Sequence, residues 1–178
     1  MTTLPLIDPS TAAKPVSDLL AAVQRTLGAT PNMTKAMANS PALLSGYLAL
    51  SGALGKGVLM GAVREQIALA VSQDNACSYC LSAHSYLAEH VAHLSADDIT
   101  AARKSDAADT KTAALLSFAT TVNQTRGQAT ADDFADVRAA GATDEEIAET
   151  IGHVALTVLT NYFNTAAAVE IDFPVVAA

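Results

Sequence analysis

Apolar residues recur along this chain every three or four positions and almost nowhere every two. A period of about 3.6 belongs to the helix and a period of 2 to the strand, so the pattern predicts an all-α protein. VSDLLAAVQRTLG (16–28) has the helical spacing and stops on Gly28. Thr30-Pro31 and Ser40-Pro41 each read as an N-cap followed by proline at the first helical position. The second pair opens PALLSGYLALSGAL (41–54), which ends at Gly55 and Gly57. Within GAVREQIALAVSQDN a helix runs from about Gly61 to Val71, and Gln73-Asp74-Asn75 breaks it. CSYCLSAHSYLAEHVAHL keeps the helical period to about Leu94.

Ser95 with Asp98 starts a short helix, TKTAALLSFATTVNQ (110–124) forms another, and Thr130 with Asp133 starts a third that closes at Gly141. Thr143 with Glu146 is a capping box for a long helix reaching Glu170. Thr157 to Leu159 is partly β-branched but lies inside that capped register. The first fifteen residues, with Pro5, Pro9 and Pro15, read as an extended arm on one domain spanning 1–178.

Composition agrees with helices. Hydrophobic residues make up 51 % and aromatics 4 %, with no Trp, which favours close-packed helices over aromatic-rich strands. Mean hydropathy is high at +0.28. No apolar run reaches the ~20 residues of a membrane span, so the surplus is expected between subunits of a homo-oligomer. A net charge of −8 repels polyanions, which argues against nucleic acid as a partner. MTTLPLIDPS has neither the basic nor the apolar region of a secretory signal, so the expected location is the cytoplasm.

ALLS occurs at 42–45 and again at 114–117, and REQIALAV (64–71) has a weak echo in DEEIAETI (144–151). An eight-residue insertion brings the two matches into one register, as expected for two related helical halves. In that register Thr157, Thr160 and Asn164 stand where the first half has Cys77, Cys80 and His84.

Those three residues lie in NACSYCLSAH (75–84), which holds both cysteines of the chain. At about 100° per residue they fall within a helical stripe about 60° wide. Helical neighbours three apart have Cβ atoms ~5–6 Å from each other, and a first turn distorts easily enough to let a disulfide form. Such a bond closes a tiny loop and is of little use as a staple, but it can form and break readily. Unpaired N–H groups at a helix start also favour a thiolate. His84 can accept a proton, and Glu65 on the preceding helix could orient it. A metal clamp would need a fourth ligand, with His90 or His93 the candidates, and no second C-x-x-C or H-x3-H is present. Inert structural thiols remain the third reading.

The spacing E-x11-C-x2-C-x3-H, formed by Glu65, Cys77, Cys80 and His84, resembles the AhpD-like alkylhydroperoxidases of the carboxymuconolactone decarboxylase superfamily. The likeness covers mainly residues 42–90, the expected redox-active core. It implies an all-α, AhpD-like fold in a homo-oligomer built from trimers. It also implies a thiol-dependent peroxidase that reduces organic hydroperoxides. Cys80 would be the peroxidatic thiol, passing through a sulfenic acid, and Cys77 the resolving thiol that closes the Cys77–Cys80 disulfide. Glu65 and His84 would relay protons. No bound cofactor and no metal are expected; the reductant would be an external dithiol, in AhpD a lipoylated partner protein. Tyr79 stands where AhpD has a histidine, so one relay or orienting group is absent or replaced by a phenol; Tyr79 reads first as a packing residue and second as one that could line the site. Two other classes stay open: a redox-sensing dithiol interaction protein and a lactone decarboxylase-like enzyme, whose chemistry needs no dithiol.

Other polar residues have plainer readings. His90, His93 and His153 read as ordinary helix residues. Asn161 and Asn164, near Tyr162, could line a cleft or bridge helices. The acidic pairs at 97–98, 132–133 and 145–146 suit helix starts without any catalytic role.

Overall fold

The computed structural model describes residues 2–178, and helices are the only regular elements among them. In chain order these are α1 (Lys14–Leu27), α2 (Asn32–Met37), α3 (Pro41–Leu54), α4 (Gly61–Asp74), α5 (Ser78–His90), α6 (Ala96–Ala102), α7 (Thr110–Gln124), α8 (Ala131–Ala139) and α9 (Asp144–Ala166). The local signals act largely as the sequence predicts. Ser40 caps α3, and Ser95/Asp98, Thr130/Asp133 and Thr143/Glu146 all form reciprocal capping boxes. Each such cap is worth about 1 kcal/mol.

Helix α4 is the centre of the fold. It packs against α5, α6, α7 and α9, and Val63 and Gln66 to Ser72 are all buried. A helix apolar on nearly every side has nowhere to sit except inside a bundle. Ile67, Leu69 and Val71 join Leu81 of α5, Leu115, Leu116 and Phe118 of α7, and Ile147 and Val154 of α9 in the main core. Burying each of the large aliphatic side chains stabilises the fold by about 1.5–3 kcal/mol. A second, smaller cluster holds the two cysteines with Tyr79 of α5, Ala36 of α2 and the segment after α9.

Gly57 has a specific task. The carboxylate of Glu149 fills the space a Cβ would need there and accepts from the N–H groups of Val58 (2.9 Å) and Leu59 (3.0 Å). This ties α9 to the loop that launches α4.

The boundaries depart from the sequence reading in five places. Helix α4 runs on through Gln73 to Asp74 rather than ending near Val71. Helix α1 starts at Lys14, so the arm is shorter than fifteen residues. Thr30 does not cap α2. Its hydroxyl bonds Gln24 (3.0 Å), Pro31 is the N-cap, and distant residues satisfy the first N–H groups of α2. Helix α5 stops at His90 rather than near Leu94, because Leu94 N–H bonds back to Ala88 C=O and His93 turns left-handed (φ 58°). Helix α9 ends at Ala166 rather than Glu170. Val169 N–H returns to Asn164 C=O across a left-handed Ala168 (φ 47°), and the chain leaves as an irregular tail.

Candidate active site

The break at Asn75-Ala76 sets the site. Ala76 takes φ 51°, which ends α4 and restarts the chain as α5. Cys77 becomes the N-cap of α5, and its Sγ accepts from the N–H of Cys80 at 3.3 Å. Both sulfurs therefore lie in the first turn of a helix, where unpaired N–H groups favour negative charge. Cys77 and Cys80 are joined as a disulfide with their Cα atoms 5.3 Å apart. Each residue is only 2 % exposed.

One turn further on, His84 Nδ1 lies 2.7 Å from Glu65 Oε2. The packing of α5 against α4 creates this pair across nineteen residues of sequence. With Glu65 ionised, Nδ1 carries the proton and Nε2 is the ring's base. The two side chains are 25 % and 23 % exposed, so water reaches them, unlike the sulfurs.

His84 stands between two cavities. The first, about 300 Å³, is walled mostly by apolar groups, among them Leu27, Met33, Tyr86, Leu87 and Phe173, together with Tyr79, Cys80 and His84. Cys77 is not part of its wall. The second, about 220 Å³, is more polar than the first, with Ser51, Arg64, Glu65, His84, His153 and Thr157 in its wall beside Ala68 and Leu156. Tyr47, His84 and Thr160 belong to both.

The structure thus gathers Glu65, Cys77, Cys80 and His84 at one place. Tyr79 lines the apolar cavity, but its hydroxyl turns elsewhere: it accepts from Met33 N–H (3.1 Å) and donates to Asp172 (2.8 Å). Burial first, then the Asp172 charge, pushes this phenol well above its ordinary range, so it stays a neutral donor. His90 and His93 are exposed, and His90 packs against the Tyr86 ring instead. Among the described residues no three His, Cys, Asp or Glu side chains gather as a metal site.

The sequence reading undervalued α9. Its residues His153, Thr157, Thr160 and Asn164 recur at helical spacing, are all buried, and turn one polar face toward the site. Asn164 Nδ2 donates to Cys80 Sγ at 3.3 Å, while its Oδ1 has no partner. Asn161, by contrast, only bridges helices, donating to Ser72 Oγ (3.1 Å) and accepting from Asn75 (2.9 Å). His153 is 7 % exposed and its Nε2 has no partner. Burial, reinforced by the nearby Arg64 charge, lowers its pKa and keeps it neutral. Tyr47 was not singled out by any motif. Its phenol is raised by burial and by the charge of Glu65. The available signal was the run of buried polar residues in an apolar helix, which burying costs unless they are used or paired.

Residues 41–124 match the model of the carboxymuconolactone decarboxylase family. No curated protein matches the chain. The crystal structure of an alkylhydroperoxidase AhpD core, a peroxidase-related protein from Ralstonia eutropha JMP134, is similar with TM-score 0.85 and 24 % identity, covering 96 % of this chain and 92 % of that one. A peroxidase-related protein from Silicibacter sp. TM1040 is similar with TM-score 0.79 and 24 % identity over 95 % and 91 % of the two chains. The debrominase Bmp8 in complex with 2,3,4-tribromopyrrole is similar with TM-score 0.80 and 20 % identity over 97 % and 92 %. The fold is therefore the AhpD-like helical fold.

Proposed function

We propose that this chain, a carboxymuconolactone decarboxylase family segment carried on an AhpD-like fold, is a thiol-dependent peroxidase for organic hydroperoxides. The observation that supports this most is the position of Cys80. Its sulfur side is walled by an apolar cavity that also contains the Glu65-held His84, whereas Cys77 lies outside that wall.

In the reduced protein, His84 takes the Cys80 proton, and the thiolate is favoured by the start of α5 and by the Asn164 amide. The thiolate attacks the terminal peroxide oxygen. The O–O bond breaks, Cys80 becomes a sulfenic acid, and the alkoxide takes the stored proton to leave as an alcohol. The Cys77 sulfur then attacks the Cys80 sulfur. The disulfide forms, and the sulfenic hydroxyl leaves with the Cys77 proton as water. An external dithiol restores both thiols by giving its electron pair and two protons to the Cys77–Cys80 disulfide, and leaves as its own disulfide. A lipoylated protein has that chemistry and is the partner we infer. The apolar wall supports an organic rather than a purely polar peroxide.

A homo-oligomer built from trimers, located in the cytoplasm, belongs to the same proposal. The apolar Val58, Met60, Ile151 and Tyr162, exposed on the single chain, support the assembly. Brief treatment of the reduced protein with one equivalent of cumene hydroperoxide tests the peroxidase reading. Two thiols per chain should disappear with release of one cumyl alcohol. Thiols that remain titratable would refute it. The family also suggests lactone decarboxylation, which a protein lacking both cysteines would retain.

A further inference from the structure

The disulfide has to be reduced from outside, yet each cysteine is 2 % exposed. The tail that follows α9 shares in covering it, together with α2 and α9. Val169, Ile171 and Phe173 pack in the same apolar cluster as Cys77 and Cys80. Phe173 sets its ring against Tyr79 (centroids 5.9 Å) and Tyr86 (6.0 Å) and forms part of the cavity wall. This segment has no helix or strand of its own, so side-chain anchors hold it.

Besides a bond from Glu170 N–H to the Thr2 hydroxyl (3.0 Å), the anchors form two groups. Near the far end, Val176 N–H donates to Ser82 Oγ (2.9 Å) and Arg103 donates to Ala177 C=O (2.8 Å). Near the cavity, Asp172 joins three elements: one carboxylate oxygen accepts from Tyr79 OH (2.8 Å) and the other from Asn32 N–H at the start of α2 (2.8 Å). Asn32 Nδ2 adds a bond to Glu170 C=O (3.1 Å). Asp172 itself is exposed, so this clasp can be exchanged for water from the outside.

We propose that residues 169–178 are a lid over the redox pair and that the Asp172–Tyr79 clasp decides which reductants reach it. The proposal rests on the dithiol reading above. Its chemistry follows from thiol–disulfide exchange, in which the attacking thiolate approaches along the S–S axis. With the lid closed, Cys80 but not Cys77 belongs to the wall of the apolar cavity, so a slender dithiol enters there and attacks Cys80. Cys77 leaves as a thiolate that the Cys80 N–H and the α5 start stabilise. The second thiolate of the reductant then attacks the mixed disulfide at the reductant's own sulfur, releasing Cys80 and closing the reductant's disulfide. A folded protein dithiol is too bulky for the cavity and requires the lid to open. Tyr79 is thereby a positioning residue, acting through Asp172.

The test measures reduction of the oxidised full-length protein by dithiothreitol and by reduced thioredoxin, without any peroxide. Asp172→Ala removes a charge-assisted clasp and should raise the thioredoxin rate relative to the dithiothreitol rate about tenfold. Tyr79→Phe keeps the ring and loses the hydroxyl, and should move the same ratio in the same direction by about threefold or more. A rise of that size in either variant supports the lid, and because it is a ratio, general loosening that speeds both reductants does not produce it. A ratio unchanged in both variants overturns the lid. That failure would leave the peroxidase reading standing, since no hydroperoxide takes part.

Discussion

The two cavities share a wall and little else. On one side of His84 the lining is Leu27, Met33, Leu87 and Phe173 around the Cys80 sulfur. On the other it is Ser51, Arg64, Glu65 and His153. The mostly apolar chamber suits an organic molecule beside Cys80, and the more polar one holds the groups that can exchange protons. The imidazole between them belongs to both, with Nδ1 fixed by Glu65. The division teaches that one imidazole ring joins two chambers of different character, as the proposed peroxidase would need if substrate and proton arrive from different sides.

Damage to the apolar side should have the largest effect. Cys80→Ser should bring peroxide consumption down to the uncatalysed rate in a coupled assay, whereas Cys77→Ser should still react once and accumulate a sulfenic acid that dimedone traps. Equal loss in both, with no trapped species, would assign the roles wrongly. On the dividing wall, Glu65→Gln leaves the imidazole without its charged partner. It should lower the rate of peroxide attack by about 10²-fold, measured as stopped-flow thiol loss, while leaving dithiothreitol reduction of the disulfide much less affected. At the α9 face, Asn164→Ala removes one hydrogen bond to Cys80 and should slow attack by roughly fivefold, with an upward shift in the pH dependence of Cys80 alkylation.

The polar side makes a smaller and different prediction. His153 is held neutral, with its folded pKa below the ordinary 6.5. Below 6.5 the unfolded chain therefore binds the proton in preference. Its contribution to stability is whole above that pH and is lost as pH falls toward the folded value. His153→Gln should remove that part of the acid sensitivity. The difference in urea midpoint between pH 7.5 and pH 5 should be smaller in the variant than in the parent. An unaltered difference would mean that the imidazole is not buried neutral.

Most of the fold is legible in the sequence because local and long-range signals agree. Ser95, Thr130 and Thr143 cap helices by chemistry that needs no tertiary contact. Of Gln73-Asp74-Asn75, Asn75 ends α4 as its C-cap, so the helix closes at Asp74, three residues past the expected end at Val71. The core of the candidate site is legible for the same reason: a fixed spacing puts Cys77, Cys80 and His84 on one face, and the family pattern adds Glu65. What sequence reasoning misses depends on contacts between distant segments. The cap of α2 comes from Asp172, 140 residues away, so Thr30-Pro31 misleads. His153, Asn164 and Tyr47 carry no motif, and only packing turns them toward the sulfur or the relay. Tyr79 looks like a substitute for a catalytic imidazole, but its hydroxyl is committed to α2 and the tail.

The most direct measurement is a mass spectrum of intact, reduced protein after one equivalent of cumene hydroperoxide, with thiols counted in the same sample. A loss of two hydrogens per chain, no free thiol, and a Cys77–Cys80 linked peptide on digestion is the expected result. An unchanged mass with both thiols still titratable would contradict a dithiol that turns over peroxide at this site.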